Sequence, residues 1–312
     1  MRKLLCLAVG LASLSTICSA QTLTQTFGSG ANAFSMDFVQ IGNPNNIADT
    51  TGSPNPVGSV AYTYNIGKYE VSRDMINKAN AAGSLGITMQ NMSSYGANGV
   101  NRPATGISWY EAAKFVNWLN TSTGGTAAYK FDGSGNFQLW SAGDAGYNAS
   151  NMFRNSLAKY VIPSSDEWYK AAYGNLDGTW NNYPTGSDIE PTAVARGLEA
   201  NTAVYDGQTG PADIYNAGGL SPYGTMGQGG NVSEWNETEF DGINDTAGGS
   251  RQSRGGMWSY PISLTLMADY RGDGIASYSS YDQGFRVASV PEPSSLSLLA
   301  LGGVLVVLRR KK

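Results

Sequence analysis

The sequence predicts an irregular, loop-rich α+β domain with few short helices and short antiparallel strands. Three observations predict it. Forty glycines in 312 residues imply many loop positions, because glycine alone takes positive φ without steric cost. Only three segments combine a helix start, an apolar stripe and a stop. The other apolar residues fall in brief runs between Gly- and Asn-rich stretches, as short strands do.

Residues 21–33 form a Gly-, Asn- and Thr-rich lead-in. In residues 34–41, Phe34, Met36 and Phe38 alternate with polar neighbours, as in a half-buried strand. Residues 42–58 carry turn chemistry. They are read either as an exposed loop or as one holding a cation through Asn and Asp oxygens. Residues 60–72 read as two short strands broken at Gly67.

Ser72 caps a first helix through about Ala82, with Met75, Ile76 and Ala79 on one face and Gly83 as its stop. Ser108 and Glu111 stand at capping-box spacing before the stripe Trp109, Ala112, Ala113, Val116 and Leu119. Ser164 and Glu167 repeat that box, Gly174 stops the third helix, and Trp168, Ala171 and Ala172 form its buried side. No repeat or linker interrupts the chain between Val60 and Ala288, so residues 34–289 read as one domain.

The two ends are separate. Residues 1–20 run from Arg2 and Lys3 through an apolar stretch to Ser19 and Ala20, the pattern of a cleaved secretory signal. Lipidation at Cys18 is the alternative, in a poor context. Residues 290–312 place Pro291, Glu292 and Pro293 before thirteen mostly apolar residues and four basic ones. Thirteen is short of the roughly twenty that span a bilayer, and the basic cluster stays cytoplasmic.

Removing the basic ends leaves 14 basic residues, and removing Glu292 leaves 23 acidic ones, a formal net charge of −9 over residues 21–290. Such a chain lacks the clustered Lys and Arg that bind nucleic acid. Both cysteines, Cys6 and Cys18, lie in the leader, and there is no histidine. The mature chain therefore has no disulfide, no thiol nucleophile and no Cys or His metal ligand. Ser-His-Asp catalysis is excluded, and no phosphate-binding fingerprint occurs.

Six segments in order (residues 64–72, 102–120, 161–174, 221–238, 254–259 and 284–289) resemble the formylglycine-generating-enzyme or sulfatase-modifying-factor family. The tail resembles the PEP-CTERM sorting signal of exported bacterial proteins, with Pro291, Glu292 and Pro293 as its motif; a plain C-terminal anchor is the alternative. The first resemblance implies a C-type-lectin-like fold. The second implies processing by an exosortase-type protease, a transient anchor in the inner membrane, and delivery to the cell surface or extracellular matrix of a Gram-negative bacterium.

The formylglycine enzymes hold copper through two cysteines between the RGG and GFR segments. Here that interval, residues 257–283, has no Cys, and Ser or Tyr hydroxyls cannot replace thiolates on soft copper. Relatives that hold iron use histidines. Neither copper nor iron is expected.

The resemblance implies a structural calcium at Asn231, Val232 and Glu234, hard oxygen donors suited to that ion. The alternative pairs Glu234 with an arginine such as Arg254. Trp109, Trp168, Trp235 and Trp258 lie in family segments expected to be core. The candidate ligand cleft comprises Trp258, Tyr260, Asp269, Arg271, Asp273, Tyr278, Tyr281, Asp282 and Arg286, facing a polysaccharide or a surface protein. A carboxylate pair such as Asp269 and Asp273 would suit glycoside hydrolysis; a solvated loop is the blander reading. Together these features predict a noncatalytic binding or structural protein of the surface or exopolysaccharide matrix. A formylglycine-generating-enzyme-like or other thiol-free enzyme acting on an exported protein or polysaccharide, and a protein-binding scaffold or inhibitor, are the alternatives.

Overall fold

Phe34, Met36 and Phe38 point into the core from one face of their strand, and Val39 and Ile41 are buried from the other. The computed structural model describes residues 22–291. The leader, and the tail from Glu292 onward with most of its sorting motif, lie outside the described residues.

A five-stranded sheet is built from β1 (Thr22–Phe27), β2 (Phe34–Ile41), β3 (Tyr64–Gly67), β4 (Tyr160–Val161) and β9 (Ala288–Ser289), in the order β1-β2-β3-β9-β4. All four pairings are antiparallel. A four-stranded sheet holds β5 (Ser233–Glu239), β6 (Ser250–Arg254), β7 (Gly272–Ile275) and β8 (Gln283–Gly284), in the order β7-β6-β5-β8. Its β5–β8 pair is parallel, and Gly284 sits opposite Glu234. The residues read as a lead-in thus begin with an edge strand, whose Phe27 packs edge-on against Tyr160 at 5.0 Å.

The three helices form where their capping signals stand. α1 (Arg73–Gly83) starts on Ser72, α2 (Trp109–Ser122) on Ser108 and α3 (Ser165–Tyr173) on Ser164. The Ser108–Glu111 and Ser164–Glu167 boxes satisfy free helix-start N–H groups. One boundary differs: Gly83 stays helical, and Ser84 takes the left-handed cap with φ 52°. The stripe of α2 is fully buried, with Phe115 and Trp118 stacked on Phe34 of β2. Of residues 60–72 only Tyr64–Gly67 becomes a strand, with the expected break Gly67 as its last residue.

Loop 42–58 is neither free nor fully exposed. Asp49 accepts from the Tyr169 hydroxyl at 2.6 Å and from Thr51, Asn46 braces Gly58 and Val60, and Val57 is buried. The side-chain oxygens of Asp49 and Asn46 fix the loop to α3 and to itself.

Glu167, in the first turn of α3, belongs to a buried charge network. Arg154 donates Nε to Glu237 at 2.8 Å and Nη1 and Nη2 to Glu167 at 2.9 and 2.8 Å. Tyr62 adds a 2.6 Å bond to Glu167, and Tyr129 donates to Glu237 at 2.7 Å. Burial alone would raise the Glu167 carboxyl, but the Arg154 charge and its hydrogen bonds bring it down to about 2.

Candidate functional site

The segment from β6 to β9 carries the sequence-predicted site, and the structure divides its residues between core and surface. Gly255 and Gly256 turn the chain after β6 with φ of 98° and 71°. A Cβ on Gly255 would lie 2.8 Å from the Gln228 carbonyl oxygen, so this turn requires glycine.

Arg286 is a core strut. It is completely buried, and its Nη2 and Nε reach Glu234 at 2.5 and 2.6 Å. It also donates to the carbonyls of Gly67 and Met226, both at 2.9 Å. Its assignment to a cleft wall is therefore corrected. The parallel register of β5 and β8 puts Arg286 beside Glu234. Arg254 instead donates to the Tyr270 and Ser53 carbonyls and to Ser165 Oγ, with its guanidinium 5.1 Å from the Tyr169 ring centroid.

Of the expected calcium residues, Asn231 and Glu234 already have their side-chain oxygens bonded within the protein. Both Glu234 oxygens accept from Arg286, and Oε2 also accepts from Trp168 Nε1 at 2.7 Å. Asn231, at φ 61°, uses Oδ1 for the Ala212 N–H and Nδ2 for Glu70. Its carbonyl accepts from the Trp258 N–H. Protein donors thus engage the side-chain oxygens that calcium would need. Glu70 is buried alongside, and its burial, followed by the Glu234 charge, pushes its carboxyl well up.

What remains is an aromatic group that only partly reaches the surface, with Trp258, predicted in the cleft, beneath it. Tyr281 stacks on Tyr95 with centroids 4.8 Å apart and planes at 11°. Trp258 lies 5.4 Å from Tyr95 and 5.7 Å from Tyr281. Trp258 is buried, and its Nε1 has no hydrogen-bond partner among the described residues. Asp282 is oriented beside them: Ser280 donates to Oδ1 at 2.6 Å and Ser259 to Oδ2 at 2.8 Å. Tyr95 comes from the loop after α1 and was absent from the sequence-based site. No local signal marks it, since only the fold brings it to Tyr281.

A second group lies toward β7. Tyr260, Asp269, Tyr270, Asp273 and Tyr278 are exposed. Burial raises the Tyr270 hydroxyl, and the neighbouring Tyr260 and Asp273 add to the rise. Arg271 stacks its guanidinium 4.2 Å from the Phe240 ring centroid and donates to the Phe240 carbonyl.

Asp273 lies on one edge strand and Asp282 just before the opposite edge strand, three strand spacings or roughly 14 Å apart. Among the described residues neither Asp269 nor Asp273 makes a side-chain hydrogen bond. Asp273 and Asp282 thus stand at opposite edges of the four-stranded sheet. Trp109, Trp168, Trp235 and Trp258 are all core residues, as the sequence predicts.

Short strands in two main and two minor sheets, three helices and long tethered loops, with the last described strand inside the five-stranded sheet, define the C-type-lectin-like fold. Treponema denticola variable protein 1 shares it at a TM-score of 0.58 and 19% identity, over 86% of this chain and 99% of that one. CarF does so at 0.60 and 19%, over 82% and 98%. PvdO from Pseudomonas aeruginosa does so at 0.54 and 16%, over 86% and 98%. At these identities the likeness is one of fold.

The sulfatase-modifying factor enzyme 1-like domain matches residues 30–290, and the chain belongs to that family. Residues 289–312 match the PEP-CTERM protein-sorting motif. That motif marks an exported protein of a Gram-negative bacterium, sorted to the surface or extracellular space. It implies a C-terminus that associates with the membrane and is processed by an exosortase. No curated protein matches the chain.

Proposed function

We propose that this protein is a noncatalytic binding protein of the bacterial surface or exopolysaccharide matrix, holding a polysaccharide on the Tyr95–Tyr281 face. The observation that carries this reading is the stacked tyrosine pair with a pre-oriented carboxylate beside it. An aromatic plane takes the C–H face of a sugar ring, and Asp282 accepts from its hydroxyls; few, fixed polar groups on an apolar floor are the usual make-up of a small-molecule site. The serine hydroxyls hold Asp282 in place before the ligand arrives, which lowers the ordering cost of binding.

The chemistry available supports binding over oxidation. Residues 22–291 contain neither Cys nor His, and the copper oxidation known in this family needs thiolates. A surface protein is the second reading. It is favoured by Ile262 and Leu264, 44% and 57% exposed two residues apart next to the exposed Tyr260, because neighbouring exposed apolar residues mark docking surfaces.

The test is a binding panel of neutral and acidic polysaccharides with the exported chain. Tyr281→Ala and Asp282→Asn should each weaken binding about tenfold, equivalent to about 1.4 kcal/mol. The polysaccharide reading is lost if no member of the panel binds, or if both variants bind like the parent. Conversion of a sulfatase peptide cysteine to an aldehyde with added copper would overturn the noncatalytic reading.

A further inference from the structure

The sorting tail leaves the domain from its interior. β9 lies between β3 and β4, and the next residue, Val290, still donates its N–H to the Lys159 carbonyl at 2.9 Å. Pro291 is therefore the first residue free of the sheet. Glu292, Pro293, Ser294 and Ser295 are all that separate it from the apolar run beginning at Leu296. Even fully extended, the chain from Pro291 to Leu296 covers at most about 18 Å. While the tail is in the membrane, the face around Pro291 is held against the bilayer. Any protease cutting at the motif meets this folded face at the same moment.

That face holds a cavity of about 340 Å³. Tyr62, Ala158, Val290 and Pro291 give it apolar walls, and Asn148 and Ser156 stand among its polar residues. The Tyr62 hydroxyl is tied to Glu167, so one wall is a fixed aromatic plane. Asn148 uses its amide oxygen for the Ser150 N–H. Its NH2 group and the Ser156 hydroxyl have no partner among the described residues. Apolar walls with unspent side-chain donors fit an extended peptide segment, whose carbonyls need donors and whose side chains need pockets.

We propose that this cavity is a docking site for a loop of the membrane protease that processes the tail. The sorting motif then acts as one half of a composite signal, and the folded face beside it as the other. Recognition is thereby coupled to folding, because the cavity exists only when β4, β9 and loop 148–158 are assembled. This inference is independent of the polysaccharide-binding reading and survives its failure.

The experiment follows processing of the full chain in cells that carry an exosortase-type protease, read as the ratio of unprocessed to processed chain on an immunoblot. Asn148→Trp and Ser156→Trp fill the cavity from an exposed and a half-buried position. Thr121→Trp places the same bulk in a different cavity, beside Lys114 and Trp118. An eight-residue Gly/Ser insertion after Val290 carries the motif, and the Pro291 wall with it, up to about 28 Å from the rest of the cavity. Protease resistance of the secreted variants controls for folding.

Docking predicts that either cavity-filling variant and the insertion each raise the unprocessed-to-processed ratio about tenfold, while Thr121→Trp leaves it unchanged. Normal processing of both Asn148→Trp and the insertion overturns the proposal, because the linear motif is then sufficient. If Asn148→Trp is processed normally but releases the chain from anionic lipid vesicles, the face contacts lipid, and the proposal is likewise overturned.

Discussion

Replacing Arg154 by Met would remove the single cation that serves two buried carboxylates. Arg154 makes three bonds of 2.8–2.9 Å to Glu167 and Glu237 and one of 3.1 Å to the Ile162 carbonyl, and both glutamates are buried. Breaking a buried pair from one side costs about 3–5 kcal/mol, since the remaining charge stays desolvated. For a domain of this size that is roughly 5–9 °C in Tm. The pH dependence separates this mechanism from a simple packing loss. In the parent, the Glu167 carboxyl lies at about 2 against an ordinary 4.5. Its contribution is fully present above pH 4.5 and is lost as pH falls toward 2. Without Arg154, burial dominates and raises the carboxyl above 4.5, so the variant takes up a proton on folding and gains relative stability as pH falls. Urea unfolding at pH 7 and pH 4 should show the gap between the two proteins shrinking on acidification. A gap below about 1 kcal/mol at pH 7, or one unchanged at pH 4, would refute the reasoning.

Lys170 gives the same direction of slope in an alkaline window, from a shift that costs stability at neutral pH. Its amine is buried, bonded only to the Asn43 carbonyl at 2.8 Å, and burial lowers its pKa from 10.5 to about 8. The unfolded chain holds more protons between those values, so stability should rise from pH 8 to pH 10.5 by on the order of 3 kcal/mol. Calorimetry should find that rise absent in Lys170→Met, and a flat parent profile would contradict the account. Gly255→Ala should cost at least about 2 kcal/mol, because it combines φ of 98° with a 2.8 Å approach to the Gln228 carbonyl; a thermal shift below about 2 °C would show that the turn relaxes.

The helices were legible because their signals are local. The serine caps with Glu111 and Glu167 lie within four residues of what they satisfy, and the α2 stripe follows a single period. β4, β8 and β9 were not legible. Each has only two residues, and what makes them strands is pairing with distant chain. β1 escaped for a related reason: of its six residues only Phe27 is buried, so it shows no apolar alternation.

The site divides along the same line. Trp258, Tyr281 and Asp282 were readable as neighbours within one segment. Tyr95 reaches them only through the fold. Arg254 and Arg286 have the same side chain and similar glycine-rich surroundings, and only the β5–β8 register decides which of them meets Glu234.

β9 is the last strand among the described residues, yet it is the seam of the first sheet. Until residues 288–289 arrive, β3 and β4 have no shared neighbour and the sheet stays in two parts. Closing it requires contacts across nearly the whole chain, the kind of long-range pairing that slows folding. A chain truncated a few residues early lacks the seam, and its unpaired strand edges are exposed to proteases and to aggregation. Completion of the fold therefore serves as a length check, passed only by molecules that also carry the start of the sorting tail.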